Sequence, residues 1–393
     1  MEQGRAILKA GRDKVVRGGN PWVFSQAIDR VEPVGLQAGA LIELCDVEGR
    51  FVALGHFNPT TTIAVRIISW NPGQEMRALL EQRLTDALAL RSRVVGADSN
   101  CYRVVNGDGD GLSGLVVDRY ADVLVVQILS AGMDRLRDEI VAVLRERLSP
   151  GSILERSVGA VRRREGLGDR CAVLWGEPVS KAVAVENQIR VEVDFEHGQK
   201  SGYFLDQREN RVRFAAFARG ASVLDACCYT GGFTLAALRA GASRVVAVDS
   251  SARALAGLKH NLALNDLAPQ SVELVQADIR SYLASATERF DLAVLDPPPL
   301  ARSRKDTVHA LSLYTELNYQ AVRLLAAGGF LMTFSCSAHV RGEDFVRAVR
   351  FGLARGQRVL RLLAHLGAGP DHPTLLGHAE GEYLTGLLLA DLG

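Results

Sequence analysis

Four short apolar runs in the second half of the chain each run into an aspartate. They are "SVLDAC", "RVVAVDSS", "VELVQADI" and "FDLAVLDPPP", with the acids at Asp225, Asp249, Asp278 and Asp296. Runs of this length and composition read as strands. Between and after them lie "GFTLAALRAG", "ARALAGLKHNLALN" and "SLYTELNYQAVRLLAAG", which read as helices. A fifth run, "GGFLMTFSCS", follows, and "GEYLTGLLLAD" can close the set. Alternating β and α implies a mostly parallel sheet with helices on both faces, an α/β class of fold.

Ligands of such sheets bind outside the carboxyl ends of the strands. A single acid there is unremarkable, because Asp is a favoured helix N-cap. That reading stays open for each of the four acids, but a series of four is harder to explain by capping. The turn after the first strand is Tyr229-Thr230-Gly231-Gly232-Phe233. It lacks the G-x-G-x-x-G spacing that seats a pyrophosphate. An acid precedes it, a poor neighbour for phosphate and a good one for an ammonium group. Asp249 is expected to accept from both hydroxyls of a ribose. Asp278 is expected to accept from an adenine amine, with Ile279 over the ring. Ammonium, ribose and adenine without phosphate describe S-adenosylmethionine.

The rest of the chain differs in texture. Residues 1–72 carry short alternating runs such as "ALIELCDV" and "TTTIAVRII" broken by Gly and Pro, which predicts a small β-rich domain. Residues 73–186 begin with a helix and continue as a small α+β module, and residues 187–393 hold the alternating sheet. In residues 106–111, "NGDGDG" mimics the start of a calcium loop, but the twelfth position is Val117 and strands flank it. It is read as a turn, and no metal is expected. The six cysteines form no C-x-x-C pair, and no disulfide framework is expected. The first residues lack the apolar core of a signal peptide. A cytoplasmic protein is expected. The net charge of +1 neither favours nor excludes nucleic acid, so any basic surface must be local.

Several motifs in order carry a family resemblance: "RGGNPWVFSQAI", "GHFNP", "YRVVNGDGDGLSGLVVDRYADVLVVQ", "SGYFLDQREN", "LDACCYTGGF", "DPPP" and "FSCS". Together they resemble the class I methyltransferases, and more closely the bacterial ribosomal RNA large-subunit methyltransferase I type, a cytosine-5 enzyme. The resemblance implies a PUA-like RNA-binding domain at 1–72 and a Rossmann-like, S-adenosylmethionine-dependent domain at 187–393. It implies 23S ribosomal RNA as partner, with no membrane, and leaves a homodimer open. Tyr203 and Phe204 would flank the adenosyl group, and Asp206 and Gln207 would touch the methionine end. Asp225, Tyr229, Gly231, Asp249, Ser250, Asp278 and Ile279 would complete the cofactor set.

Carbon 5 of cytosine is a weak nucleophile. A thiolate that adds to carbon 6 pushes electron density onto carbon 5, and a second group must offset charge at N3. By similarity to the family motif, Cys336 is the nucleophile and Asp296 the group that meets N3 or the exocyclic amine. The plain alternative for Cys336 is a small buried core residue. Cys227 and Cys228 are read as packing. Relatives often have lysine after the two prolines where this chain has Pro299, and Arg302, Arg304 and Lys305 are the nearby cations for phosphate. Arg17 and Trp22, among basic residues in the first domain, are candidates for RNA, with core packing as the alternative for Trp22. Three other functions remain open: methylation of a guanine or adenine nitrogen by the same fold, with Cys336 incidental; a non-catalytic RNA-binding assembly factor; and a small-molecule methyltransferase, which would not need the N-terminal module.

Overall fold

The apolar runs of the second half pair side by side in the computed structural model, which describes residues 3–198, 201–301, 303–337 and 339–392. Arg302 lies outside the described residues. The chain forms two units. One comprises Met1–Val185, Val193–Leu205 and Pro370–Gly381; the other comprises Glu186–Glu192, Asp206–Gly369 and Glu382–Gly393.

The C-terminal unit is built on seven strands: β1 (Ser222–Ala226), β2 (Arg244–Asp249), β3 (Val272–Gln276), β4 (Phe290–Leu295), β5 (Leu325–Ser335), β6 (Leu360–Leu366) and β7 (Thr385–Asp391). Their order is β3-β2-β1-β4-β5-β7-β6. The first five run parallel, and β7 is antiparallel to both neighbours. The helices are α1 (Arg208–Ala215), α2 (Gly232–Arg239), α3 (Ala252–Leu264), α4 (Ile279–Ser285), α5 (Thr307–Arg323) and α6 (Gly342–Arg355). Alternate strand residues enter two separate cores. Val223, Val245, Leu292 and Val294 pack with Phe214, Phe233 and Phe334. Their neighbours Leu224, Val246, Ala293 and Leu295 pack with Leu317, Ala321 and Phe345. A sheet covered on both faces explains why these strands read as unbroken apolar runs.

Strand β6 is not evident from the sequence. It lies at the sheet edge, and Leu362 and Leu363 are about half exposed. Its mixture of leucines with Arg361 and His365 gives neither a continuous nor an alternating apolar pattern.

In the N-terminal unit a six-stranded sheet holds a core of Ala6, Leu8, Ile42, Leu44, Val65 and Ile67, among others. A five-stranded sheet packs against two helices, Met76–Val94 and Arg137–Leu148, through Leu80, Leu84, Ile140, Val143 and Leu144. The first helix starts where Glu75 accepts from the N–H groups of Arg77 and Ala78, a side-chain cap. Among the described residues no helix is long and apolar enough to cross a membrane.

Candidate active site

At the end of β1 the chain makes a turn that few sequences tolerate. Cys227 and Tyr229 have φ of 68° and 50°, and Gly231 has 86°. For a residue with a Cβ this region costs about 1–2 kcal/mol. Neighbouring groups fix it. The N–H groups of Cys227 and Cys228 both donate to the Val248 carbonyl, at 2.9 and 3.0 Å. Buried Asn261 donates to the Thr230 carbonyl at 3.1 Å. Asp249 Oδ2 accepts from Tyr229 N–H at 2.9 Å. Gly231 is required twice over, since a Cβ there would also lie 2.1 Å from Leu258 Cδ1.

The four strand-end acids divide the labour differently from the simplest expectation. Asp225 is buried, and its Oδ2 accepts from Thr234 N–H and Oγ1–H at 2.9 and 2.7 Å, which ties β1 to the first turn of α2. Burial pushes its carboxyl pKa up to about 6, against the opposing pull of those two bonds. Asp249 is half-buried and also accepts from Ser251 N–H at 2.8 Å. Ser250 is exposed. Asp278 is exposed and is the N-cap of α4, accepting from the N–H groups of Arg280 and Ser281. Partial burial would raise its pKa, but the bonds from Ser281 and Arg280 together with the Arg280 charge hold it below the usual range. Capping is thus realised at Asp278, with half-buried Ile279 following it. The N–H of Asp296 donates to the Ala226 carbonyl at 3.3 Å, and its Oδ2 accepts from Gln207 Nε2 at 3.0 Å.

These carboxylates act in concert on the turn. Burial pushes the Cys227 thiol well above its ordinary pKa, and Asp296, Asp249, Asp225 and Asp278 push it further. Burial, Asp225 and Asp249 do the same to Cys228. Both thiols therefore stay protonated and neutral at physiological pH. The field at this turn is anionic, which suits a ligand bearing sulfonium and ammonium groups and opposes a pyrophosphate. The donor set fits S-adenosylmethionine.

The loops after β4 and β5 are stitched together. Leu295 pairs with Thr333, so Asp296 and Cys336 leave adjacent strands at the same end of the sheet. Half-buried Cys336 directs its Sγ to the Pro297 carbonyl at 3.5 Å. The next residue, Ser337, is buried, and its Oγ accepts from the N–H groups of Leu300 and Ala301 at 3.0 and 3.2 Å. The Tyr314 hydroxyl lies 3.1 Å from the same oxygen. Arg304 and Lys305 are exposed on the short turn before α5, where Ser303 and Asp306 form a capping box. Asp206 is buried, with Oδ2 accepting from Tyr383 at 2.7 Å.

The other expected residues belong to the N-terminal unit. Tyr203 is buried, its carbonyl 3.3 Å from the Tyr120 hydroxyl, and Phe204 is half-buried. Arg17 pairs with Asp13 and Asp46. Trp22 donates its indole N–H to Asp108 at 3.1 Å, and its ring meets His378 edge-on at 4.5 Å. Those parts of the indole are committed within the unit. Asn210, Asn261, Thr234, Tyr314 and Ser337 were not anticipated, because their roles arise from tertiary contacts and not from any local pattern.

Comparison with known proteins places this geometry in context. Residues 6–70 match the PUA-like domain model, and residues 117–383 match the S-adenosylmethionine-dependent methyltransferase model. The chain is 37% identical to ribosomal RNA large subunit methyltransferase I of Photobacterium profundum, over 96% of this chain and 97% of that one. It is 36% identical to the protein of the same name from Aeromonas hydrophila, over 97% and 98%. A solved methyltransferase-type chain complexed with SAH superimposes with a TM-score of 0.84 at 22% identity, covering 99% of this chain and 100% of that one. At that identity the likeness speaks for the fold.

Proposed function

The chain belongs to the ribosomal RNA large subunit methyltransferase I family of S-adenosylmethionine-dependent enzymes, and we propose that it methylates carbon 5 of a cytosine in 23S ribosomal RNA through a covalent adduct on Cys336. The observation that carries the proposal is the contact of Cys336 Sγ with the carbonyl of Pro297, the residue directly after Asp296. It puts a thiol and a carboxylate on two loops that are joined to each other.

Asp249, Asp278, Tyr229 and Gly231 of the C-terminal unit would hold the cofactor, together with Asp206 and Gln207. Asp225 supports them by fixing α2 against β1. S-adenosylmethionine, when bound, supplies a methyl group on a cationic sulfur. The chain does the rest. The target base must leave its stack to reach a side chain at the sheet end. Cys336 reacts as the thiolate, its proton having passed to water; its sulfur bonds to carbon 6 as the double bond between carbons 5 and 6 breaks, and the electron pair moves towards carbon 5 and N3. Asp296 meets N3 or the exocyclic amine through a shared proton, and that proton offsets the charge. After carbon 5 has gained its methyl group, transfer of its proton to a water or a carboxylate re-forms the double bond and expels the Cys336 thiolate. Exposed Arg304 and Lys305 would meet phosphate, as would the exposed Lys9, Arg12, Lys14 and Arg17 of the PUA-like domain.

The test is Cys336→Ala on unmodified 23S rRNA, with the methylated atom identified by mass spectrometry. The expected result is abolished transfer with cofactor affinity retained. Near-normal transfer to a ring or exocyclic nitrogen would establish the rival chemistry, and no transfer by the unaltered protein to any RNA would leave a binding role.

A further inference from the structure

The turn after β1 is held from two sides. On one side β2 supplies the Val248 carbonyl and Asp249, which accept from the N–H groups of Cys227, Cys228 and Tyr229. On the other side stands α3, where Gly257, Leu258 and Asn261 share one face within about a turn of helix. A Cβ at Gly257 would come 3.1 Å from Thr230 Cγ2, and Leu258 fills the space that a Gly231 side chain would take. Fully buried Asn261 donates from Nδ2 to the Thr230 carbonyl at 3.1 Å.

The same side chain also reaches the strand Ile189–Asp194, where its Oδ1 accepts from Glu192 N–H at 2.8 Å. Residues Glu186–Glu192 belong to the same unit as α3. One turn further along the helix, Asn265 bonds both backbone groups of Arg190. Its Oδ1 accepts from the Arg190 N–H at 2.8 Å, and its Nδ2 donates to the Arg190 carbonyl and to the Asn261 carbonyl, both at 2.7 Å. Asn265 thus bonds the strand and its own helix, whereas the Asn261 side chain joins the strand to the turn.

A backbone N–H can only donate and a backbone carbonyl can only accept, so both ends of the Asn261 amide are assigned. We propose that Asn261 is a positioning residue for the cofactor, pinning the Thr230–Gly231 peptide so that Tyr229 and Gly231 are set before S-adenosylmethionine binds. This inference rests on the reading of the turn as the cofactor site and is independent of the chemistry at Cys336. Cys227 and Tyr229 hold left-handed φ values that their side chains disfavour. Without the pin the turn relaxes in the empty protein, and the cofactor must reorder it. That cost falls on binding and not on the transfer step.

Asn261→Leu tests the proposal by removing both bonds at nearly constant volume. Asn261→Ser, too short to span both partners, replaces it if the leucine prevents folding. The Kd for S-adenosylmethionine, measured by calorimetry on the full chain, is expected to rise about tenfold. Turnover of unmodified 23S rRNA transcript at saturating cofactor is expected to stay within about threefold of the parent. Asn265→Ala is the control. It deletes both bonds to Arg190, so the melting temperature is expected to fall while the Kd changes less than about threefold. A merely structural role would make the Kd of both variants follow their loss of melting temperature. A Kd within about threefold of the parent in the folded Asn261 variant overturns the pin. Equal losses of affinity in Asn261→Leu and Asn265→Ala overturn it too, as does a loss of turnover with affinity kept. Asp249→Asn separates this failure from a wider one. If Asp249→Asn lowers cofactor affinity and Asn261→Leu does not, only the pin is wrong; if neither does, the turn is not the cofactor site and the pin falls with it.

Discussion

The buried carboxylates of the N-terminal unit and the carboxylates at the ends of β1 and β2 are treated in opposite ways. In the N-terminal unit they face guanidinium groups: Asp110 meets Arg91 at 2.5 Å, Glu165 meets Arg66 at 2.8 Å, and Asp118 meets Arg103 at 2.8 Å. At the ends of β1 and β2 they face chiefly neutral donors: Thr234 for Asp225, and the backbone N–H groups of Tyr229 and Ser251 for Asp249. Pairing with arginine cancels charge and leaves a scaffold. Neutral donors hold a carboxylate in place and preserve its negative field, which adds to burial in raising the Cys227 thiol pKa. The difference separates acids that build the protein from acids available to a cationic ligand.

The largest effect should come from breaking a cancelled pair. Arg91 is buried, bonds both oxygens of Asp110 and donates to the carbonyls of Arg103 and Asp371. Arg91→Met is expected to cost about 3–5 kcal/mol of stability, read by chemical denaturation, because it strands a buried carboxylate. A loss below about 1 kcal/mol would show that this pair is not buried in the sense used here.

Asp225 sharpens the other side. Its pKa lies above the ordinary value of 3.8, at about 6. The folded state therefore binds more protons than the unfolded state between these values, so this group's contribution to stability falls as pH rises through that window. The penalty is fully present above about pH 6 and is on the order of 2–3 kcal/mol. Asp225→Asn removes it. Melting temperatures of the variant relative to the parent should improve on going from about pH 4 to about pH 7. A constant difference would mean that Asp225 has an ordinary pKa in the fold.

Asp249→Asn removes one charge and one of the two acceptors used by the N–H groups of Tyr229 and Ser251. Cofactor affinity by calorimetry should fall about tenfold, roughly 1.4 kcal/mol, and stability should fall by about 1 kcal/mol. A neutral cofactor analogue should lose less, if charge rather than hydrogen bonding is responsible. The smallest effect is expected at Asp278. Asp278→Ala deletes the N-cap of α4 and should cost about 1 kcal/mol of stability. A many-fold loss of cofactor affinity there, exceeding that at Asp249, would reverse the ranking of the two acids.

Much of this arrangement is legible in the sequence, for identifiable reasons. Strands covered on both faces produce unbroken apolar runs, and parallel order places their acids at one end, so β1 to β5 and the four aspartates stand out. The conformation of the turn does not, because Cys227 and Tyr229 adopt left-handed φ values that their side chains disfavour and only surrounding bonds enforce. The bonds from Gln207 to Asp296 and from Asn210 to the Gly367 carbonyl are hidden for another reason: Asp296 and Gly367 are far away in the chain. Sequence pattern also could not divide capping from ligand contact at each acid. Asp278 follows the capping rule, whereas Asp225 binds Thr234 inside the first turn of the helix.

The central claim is that Cys336 bonds to the target base. Fluorine at carbon 5 cannot leave as a proton, so RNA containing 5-fluorocytidine should arrest the reaction with the thioether intact. Incubation of such 23S rRNA fragments with enzyme and S-adenosylmethionine, followed by denaturation, digestion and mass spectrometry, should give a nucleotide attached to the peptide containing Cys336, and none with Cys336→Ala. Protein that methylates the unsubstituted RNA efficiently yet forms no such adduct would contradict the account.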